Sequence, residues 1–447
     1  MSRLSWLSNR NKALLVAGIL VFWQMPLLQA APLEWTRQFG TSSHDDGRGV
    51  SADGLGNVYV SGVTYGSLGG LHGGNADAYV SKYDATGSLL WTRQLSTTGY
   101  EVSHGVSADR LGSVFIAGES SLGGSQAFLA KYDSEGNHLW ERQLAQDNVA
   151  YGVSADGMGN VYVSGTTDGT ASQGSNAFVA KYDAIGNLQW RKVLSSSQNV
   201  NGFADDYGSD VSADGMGNVY VSGHTNGNLG ERHPGGPAYN AFVAKYDAAG
   251  NFLWAHQIGT AAYEYASGVT ADRLGNVFLS GTTSGSLEGT RAGPNDTFVA
   301  LFNSAGQRQW TRQWGSPGYD ENNSVAADGL GNAYIAGHTY GVPAEPIVGG
   351  NYAYLAKVDA AGSIAWTEKL GVSEAGSQSF GVSADGLGSV YVSGETTGLL
   401  GGPAGPRMEF ADAFVAKYVA SVPEPSSAGV AWIAFAVLAR QRRRTAR

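Results

Sequence analysis

The chain contains no cysteine. That excludes disulfide staples, thiol nucleophiles and every cysteine-bearing metal site at once. Charge is sparse at 15% of residues, and the eight histidines form no short-spaced metal motif. Lys and Arg number 28 against 38 acidic residues, for a net charge of −10. Eight of those basic residues sit in the two end segments, so the middle of the chain is more acidic still. Nucleic-acid binding needs the opposite sign and is set aside. Proline is scarce at 12 residues, while glycine reaches 65 and recurs at fixed intervals, as turns do.

Long apolar runs are confined to the ends. Arg3, Arg10 and Lys12 precede the run Ala13 to Trp23, and the small residues Ala30-Ala31 follow. This is the layout of a secretory signal peptide over residues 1–31. At the far end, Val422-Pro423-Glu424-Pro425 precedes the run Ala428 to Ala439 and the cluster Arg440-Gln441-Arg442-Arg443-Arg444. A helix of that run would span about 18 Å, short of a ~30 Å hydrocarbon core. It reads as a short transmembrane segment suited to a transient stop, with the arginines holding the tail on the cytoplasmic side.

Between these ends one sentence is written seven times. Its first half reads roughly GVSADGLGNVYVSG and carries Asp53, Asp109, Asp156, Asp214, Asp272, Asp328 and Asp385. Its second half, AFVAKYDAxGNLLWTRQ, carries Trp91, Trp140, Trp190, Trp254, Trp310 and Trp366, one short of seven. The missing piece, Leu33-Glu34-Trp35-Thr36-Arg37-Gln38, stands at the front. A linear stack has no use for such a permutation, whereas a ring closes with it. In the third copy, Gly152–Asp156, Val161–Gly165, Ala177–Asp183 and Leu188–Val193 read as four short strands joined by Asp/Asn-Gly turns. Four antiparallel strands per copy make one propeller blade. The expectation is an all-β, seven-bladed β-propeller over residues 32–420, with the N-terminal strand (residues 33–40) completing the last blade.

Two family resemblances rest on these motifs. Val211-Ser212-Ala213-Asp214-Gly215-Met216-Gly217-Asn218-Val219-Tyr220-Val221-Ser222-Gly223 and Phe242-Val243-Ala244-Lys245-Tyr246-Asp247 resemble the SBBP β-propeller repeat, which implies a seven-bladed ring and little about activity. Residues 421–447 resemble the PEP-CTERM sorting signal. That implies processing near Pro423, Glu424 and Pro425 by a membrane-bound exosortase, in Gram-negative bacteria that make extracellular polysaccharide. The product would be secreted or displayed at the cell surface.

Blade connections point to one face. The tight turns barely vary, but the links from second to third strand and from blade to blade do, and both types emerge on the same side of the disc. Variable loops on a rigid scaffold are where binding sits. Five residues before the inner-strand Val, five of the seven blades carry a carboxylate: Asp45, Glu101, Asp206, Glu264 and Asp320, flanked by Tyr100, Tyr207, Tyr263, Tyr265 and Tyr319. One reading aims these carboxylates into the central opening, to bind Ca²⁺ or sugar hydroxyls. The other has them hydrogen-bond loop backbone, which their repetition favours.

Apparent catalytic motifs dissolve on inspection. Gly-x-Thr-x-Gly occurs six times, and an enzyme does not need six nucleophiles. Ser-Ala-Asp-Gly-x-Gly is similar to the sialidase Asp box with its glycine displaced. Asp-Ala-x-Gly-Asn-x-Leu-Trp is similar to the Trp-docking repeat of quinoprotein dehydrogenases, one residue short. Both are packing elements, and no resident cofactor follows from them. The sequence therefore points to a non-enzymatic binding or scaffold module for polysaccharide or surface proteins. The alternative is a polysaccharide hydrolase or lyase using carboxylates at the mouth.

Overall fold

A computed structural model describes residues 31–122, 124–169, 174–197, 204–229, 238–341, 351–371, 376–400 and 409–419. Their 28 strands, numbered β1 to β28 along the chain, form seven four-stranded antiparallel sheets. The first blade is β2 (Asp45–Ala52), β3 (Val58–Thr64), β4 (Asp77–Tyr83) and β5 (Leu89–Leu95), hydrogen-bonded in that order. Five more blades repeat the plan. The seventh takes β26 (Ser377–Ala384), β27 (Ser389–Thr396) and β28 (Asp412–Val419) from the C-terminal end and β1 (Leu33–Phe39) from the N-terminal end. Trp35 lies opposite Lys417 in that pairing, so the expected ring closure is present.

The core lies between blades. Each of the seven large buried clusters joins two neighbours, as where Tyr59 and Val80 of the first blade meet Ile116 and Phe128 of the second. This is why a run such as Val58-Tyr59-Val60 is apolar on both faces, since each face meets a sheet.

A repeated latch ties the blades together. The indole of Trp91 donates to Ser134 O of the next blade at 3.0 Å, and the Lys82 ammonium donates to the same oxygen at 3.0 Å. Trp140 and Lys131 share Ala184 O, and Trp254 and Lys245 share Ser304 O. At the closure Trp35 and Lys417 share Ala85 O, at 3.0 and 3.2 Å. Around the axis, the Ser51 hydroxyl accepts from Ala108 N of the next blade at 3.0 Å. Ser107, Ser154, Ser212 and Thr270 repeat that bond, and Ser383 accepts from Ala52 N across the seam.

One expectation is corrected. The inner strand read as Gly152–Asp156 runs over Val149–Ala155 (β10), and every inner strand likewise starts earlier than its apolar residues suggest. Among the described residues no helix is long and apolar enough to cross a membrane. The short transmembrane stretch expected near the C-terminus, the sorting residues Pro423, Glu424 and Pro425, and signal-peptide residues 1–30 lie outside the described residues.

Trp35→Ala should cost about 3–5 kcal/mol of stability, as removal of a large interfacial ring does. Trp310→Ala, at an ordinary interface, should cost a similar amount. Thermal unfolding of both variants checks this; a Trp35→Ala protein that melts like the parent would mean the seam is held by something else.

Candidate functional site

The five carboxylates counted from the sequence are first residues of inner strands, in β2, β6 (Glu101–Ala108), β14 (Asp206–Ala213), β18 (Glu264–Ala271) and β22 (Asp320–Ala327). All five are buried. Asp45 accepts from Thr41 N and Oγ1 at 2.5 and 2.9 Å, and Glu264 from Thr260 N and Oγ1 at 2.7 and 2.8 Å. Glu101 holds Thr97, Asp206 takes Ser196 N at 2.7 Å, and Asp320 takes Ser316 N and Oγ at 2.6 and 2.9 Å. Burial pushes the Asp206 and Asp320 carboxyls up, with these hydrogen bonds opposing. The carboxylates thus fasten inter-blade loops to the strands they precede; they are absent from the channel wall. Tyr100 packs beside Val63, Ala76 and Val102, and Tyr319 meets Tyr340 edge-on at 6.4 Å.

The wall of the opening is built by a feature that lacks a local sequence signal. Each inner strand carries a β-bulge at one repeat position, as between Gly47 and Gly49 or Ala150 and Gly152. A bulge leaves one residue unpaired and turned away from the ladder. The seven unpaired residues are Arg48, His104, Tyr151, Ser209, Ser267, Asn323 and Phe380. They line a central cavity of about 780 Å³ or border it closely, and no two neighbours are alike except the serines. A chain that otherwise repeats itself diversifies here.

Around the loop-bearing mouth the diversity separates into two sectors. One is an unbroken series of ionisable groups from the seventh, first and second blades. Glu395 meets His44 at 3.2 Å, Asp46 meets Arg48 at 3.1 Å, Arg48 meets His104 Nδ1 at 3.1 Å, and His104 meets Glu119 at 3.4 Å. The hydrogen bond from His104 holds the Glu119 carboxyl below its usual range, and burial lowers His104 itself. The other sector is aromatic. His224 stacks on Tyr207 at 5.0 Å and meets Tyr265 and Tyr239 edge-on at 4.9 and 5.3 Å. Tyr263 lies parallel to Tyr265 at 6.0 Å, and both are more than a third exposed. Burial lowers His224 to about 4, so the ring is neutral through the physiological range. Of the tyrosines counted from the sequence, Tyr207, Tyr263 and Tyr265 are brought together here. Tyr239 and His224 join them from a loop and a second strand that adjacency to carboxylates could not indicate.

Among the described residues, donor atoms of His44, Asp46 and Glu395 lie within 4.8 Å of one another. One imidazole and two carboxylates suit a transition ion better than Ca²⁺, which takes six to eight oxygens. Arg48 Nε already contacts both Asp46 oxygens, so a cation here competes with a guanidinium. Deeper in the channel, Asp210 stands where five blades have glycine, as at Gly49 and Gly105. It accepts from Val211 N at 2.8 Å and from Val269 N of the next blade at 3.0 Å, and burial lifts its carboxyl to about 7.

With this geometry in view, comparison with known proteins is specific about the repeat. The family described as "SBBP: Beta-propeller repeat" matches residues 34–69, 90–121, 189–231, 253–288 and 309–342. Each match runs from the outer strand of one blade into the inner strands of the next, so the chain carries SBBP-type propeller repeats. No curated protein matches the chain. Solved structures similar in chain path include the β-propeller domain of the Trilobed protease from Pyrococcus furiosus, at 8% identity and TM-score 0.45, covering 86% of this chain and 99% of that one. The quinohemoprotein alcohol dehydrogenase ADHIIG from Pseudomonas putida HK5 has 12% identity and TM-score 0.41, with 88% and 77% covered. Puromycin hydrolase has 13% identity and TM-score 0.46, with 83% and 54% covered.

Asp210 makes a signed prediction. The folded chain keeps its proton to about pH 7, whereas an unfolded carboxyl releases it near 3.8. Stability from this group is therefore present in acid and falls as pH rises through that window. Asp210→Gly, which restores the residue most blades use, should flatten the decline in melting temperature between pH 5 and pH 8. An unchanged slope would place the carboxyl in water.

Proposed function

We propose that this is an exported, non-enzymatic propeller whose loop-bearing mouth binds polysaccharide. The single observation that carries the reading is the tyrosine cluster of Tyr207, Tyr239, Tyr263 and Tyr265, with Tyr263 and Tyr265 exposed, set across the mouth from the series Glu395, His44, Asp46, Arg48, His104 and Glu119. Aromatic faces stack on the apolar faces of sugar rings, while carboxylate, guanidinium and imidazole groups exchange hydrogen bonds with hydroxyls. Leaving such rings in water is unfavourable unless a ligand covers them. The signal-peptide layout, and processing by an exosortase near Pro423-Glu424-Pro425, complete the proposal as an extracellular or cell-surface protein.

Asp210 supports a second reading, hydrolysis of the polysaccharide, since a channel carboxyl near pH 7 can hold a proton to give. That reading expects cleavage products, abolished in Asp210→Asn; the binding reading expects none.

Titration calorimetry against a glycan panel, with and without Ca²⁺, tests the proposal. Tyr263→Ala with Tyr265→Ala should weaken binding roughly tenfold, given ~0.5–1.5 kcal/mol per aromatic contact. Asp206→Asn should leave affinity intact while lowering the melting temperature, because its carboxylate fastens a loop. Affinity should also fall as pH drops toward 4, where His224 gains a charge inside the cluster. Silence across the panel would remove the proposal.

A further inference from the structure

The opposite face of the disc carries a pattern that folding does not require. The turn after each inner strand reads Asp-Gly-Leu-Gly-Asn or a close variant. Asp53 Oδ1 accepts from Leu55 N and Asn57 N, and Gly54 and Gly56 supply φ of 69° and 99°. Asp, Gly and Asn thus have work in the turn, while the third residue only points outward. A turn tip is ordinarily polar. Here it is Leu55, Leu111, Met158, Met216, Leu274, Leu330 and Leu387, seven of seven, each 61–77% exposed.

These turns follow the innermost strands, so they surround the channel exit. Neighbouring turns lie close together, and a Cβ at Gly54 would come within 3.5 Å of Arg110 Nε in the next one. Farther out on the same face, Leu89, Leu188 and Phe252 start outer strands and are about half exposed. The mouth exposes mainly tyrosine; this face exposes a ring of leucine and methionine, with Leu89, Leu188 and Phe252 outside it. An exposed apolar ring of this kind marks an interaction site.

Both described ends of the chain leave from this face. Pro32 O accepts from Val419 N at 3.0 Å, at the position where other blades have their third turn. Eight residues, Ala420 to Ser427, separate Val419 from the apolar run Ala428 to Ala439. Fully extended they reach at most about 28 Å. Until a cut near Pro423-Glu424-Pro425 removes that run, any bilayer holding it lies close beneath the ring.

We propose that the tight-turn face docks on a lipid bilayer, with the seven-membered Leu/Met ring seated among the lipid headgroups. Apolar side chains displayed on a plane bind a membrane interface in proportion to the area they bury. The surface carboxylates of Asp84, Asp133, Asp183 and Asp247 stand on the same face. Hydrogen bonds within their turns keep them ionised, chiefly from Thr86 for Asp84 and from Asn137 for Asp133. They oppose an anionic surface and also a second copy of this face, which leaves a zwitterionic bilayer as the better match. Arg110 and Arg273, in two of the ring turns, suit its phosphates.

The absence of cysteine makes a direct test available. Leu330→Cys and Tyr263→Cys each create a single labelling site, one on each face, for a polarity-sensitive fluorophore. With the intact chain on phosphatidylcholine vesicles, the label at 330 should shift to the emission of an apolar environment, and the label at 263 should not. The triple variant Leu55→Gln, Leu111→Gln, Leu387→Gln, at exposed positions that leave the fold intact, should weaken partitioning at least ~tenfold. Partitioning unchanged in that variant, or a label at 330 that stays aqueous on vesicle-bound protein, overturns the proposal. A label at 330 already shielded without vesicles overturns it in favour of self-association or of the chain's own tail, which light scattering separates. None of these readouts involves a glycan, so failure here leaves the mouth proposal standing, and the reverse holds.

Discussion

One carbonyl oxygen in each of six blades locks that blade to its neighbour, taking an indole in all six and a lysine as well in five. In the turn between third and fourth strands the second residue presents its C=O outward, and the neighbouring blade brings an indole N–H and a lysine ammonium to it. The turn is shaped for that approach. A Cβ on Gly87 would sit 2.8 Å from the Trp35 ring, and Gly136 and Gly250 stand in the same relation to Trp91 and Trp190. These glycines have φ near 80° and leave the indole a flat backbone to rest on. The lysines would be costly to bury alone. Carbonyl and ring together compensate, since Lys82 lies 5.4 Å from the Tyr59 centroid and Lys245 5.3 Å from that of Tyr220. Lys-Tyr-Asp-x-x-Gly and Trp-Thr-Arg-Gln are two halves of one joint, each useless without the other.

A scaffold fixed by such joints leaves few positions free, and they concentrate at the axis. Ladder residues of the inner strands are held by their partners and by the serine lacing to the next blade. The bulge is the exception, because its extra residue belongs to no pair. That release permits Arg48, His104 and Tyr151 to follow one another around the wall without disturbing a sheet. Variation in chemistry is confined to the one place where it costs the ring little.

The same physics explains what could be read from the sequence. Ring closure was legible because a complete Trp-Thr-Arg-Gln segment stood at the wrong end, and only a closed interface uses it there. The blade pattern was legible because turn residues have local causes, as Asp53 has. The mouth was not. Counting back from the inner-strand Val assumed a loop where the structure has a bulged strand, and the extra residue inverts which side chains face the channel. Asp45 and Glu264 consequently lie under the loops rather than in the opening. Residues that do meet there come from distant positions: His44 and Glu395 face each other only because the ring closes between them, and Tyr239 reaches Tyr265 across a blade boundary. No local pattern encodes such pairs.

The two faces of the disc pose a single question of orientation. A propeller has no intrinsic need for Tyr263 and Tyr265 to be half exposed on one side, or for seven turn tips on the other to be Leu or Met. Both are unfavourable in water, and neither is compensated inside the fold. If each is relieved by a partner, the partners lie on opposite sides, separated by the thickness of a blade. On the docking proposal the ends of the propeller set which side faces the bilayer, since Pro32 and Val419 leave together from the aliphatic face. A bilayer on that face points the tyrosine mouth, with its varied channel wall, away from the surface, where an extended polymer meets it unobstructed. The permutation that closes the ring therefore also sets its direction. By placing both ends of the propeller in one blade and on one side, it puts both flanking segments on the aliphatic face, opposite the mouth.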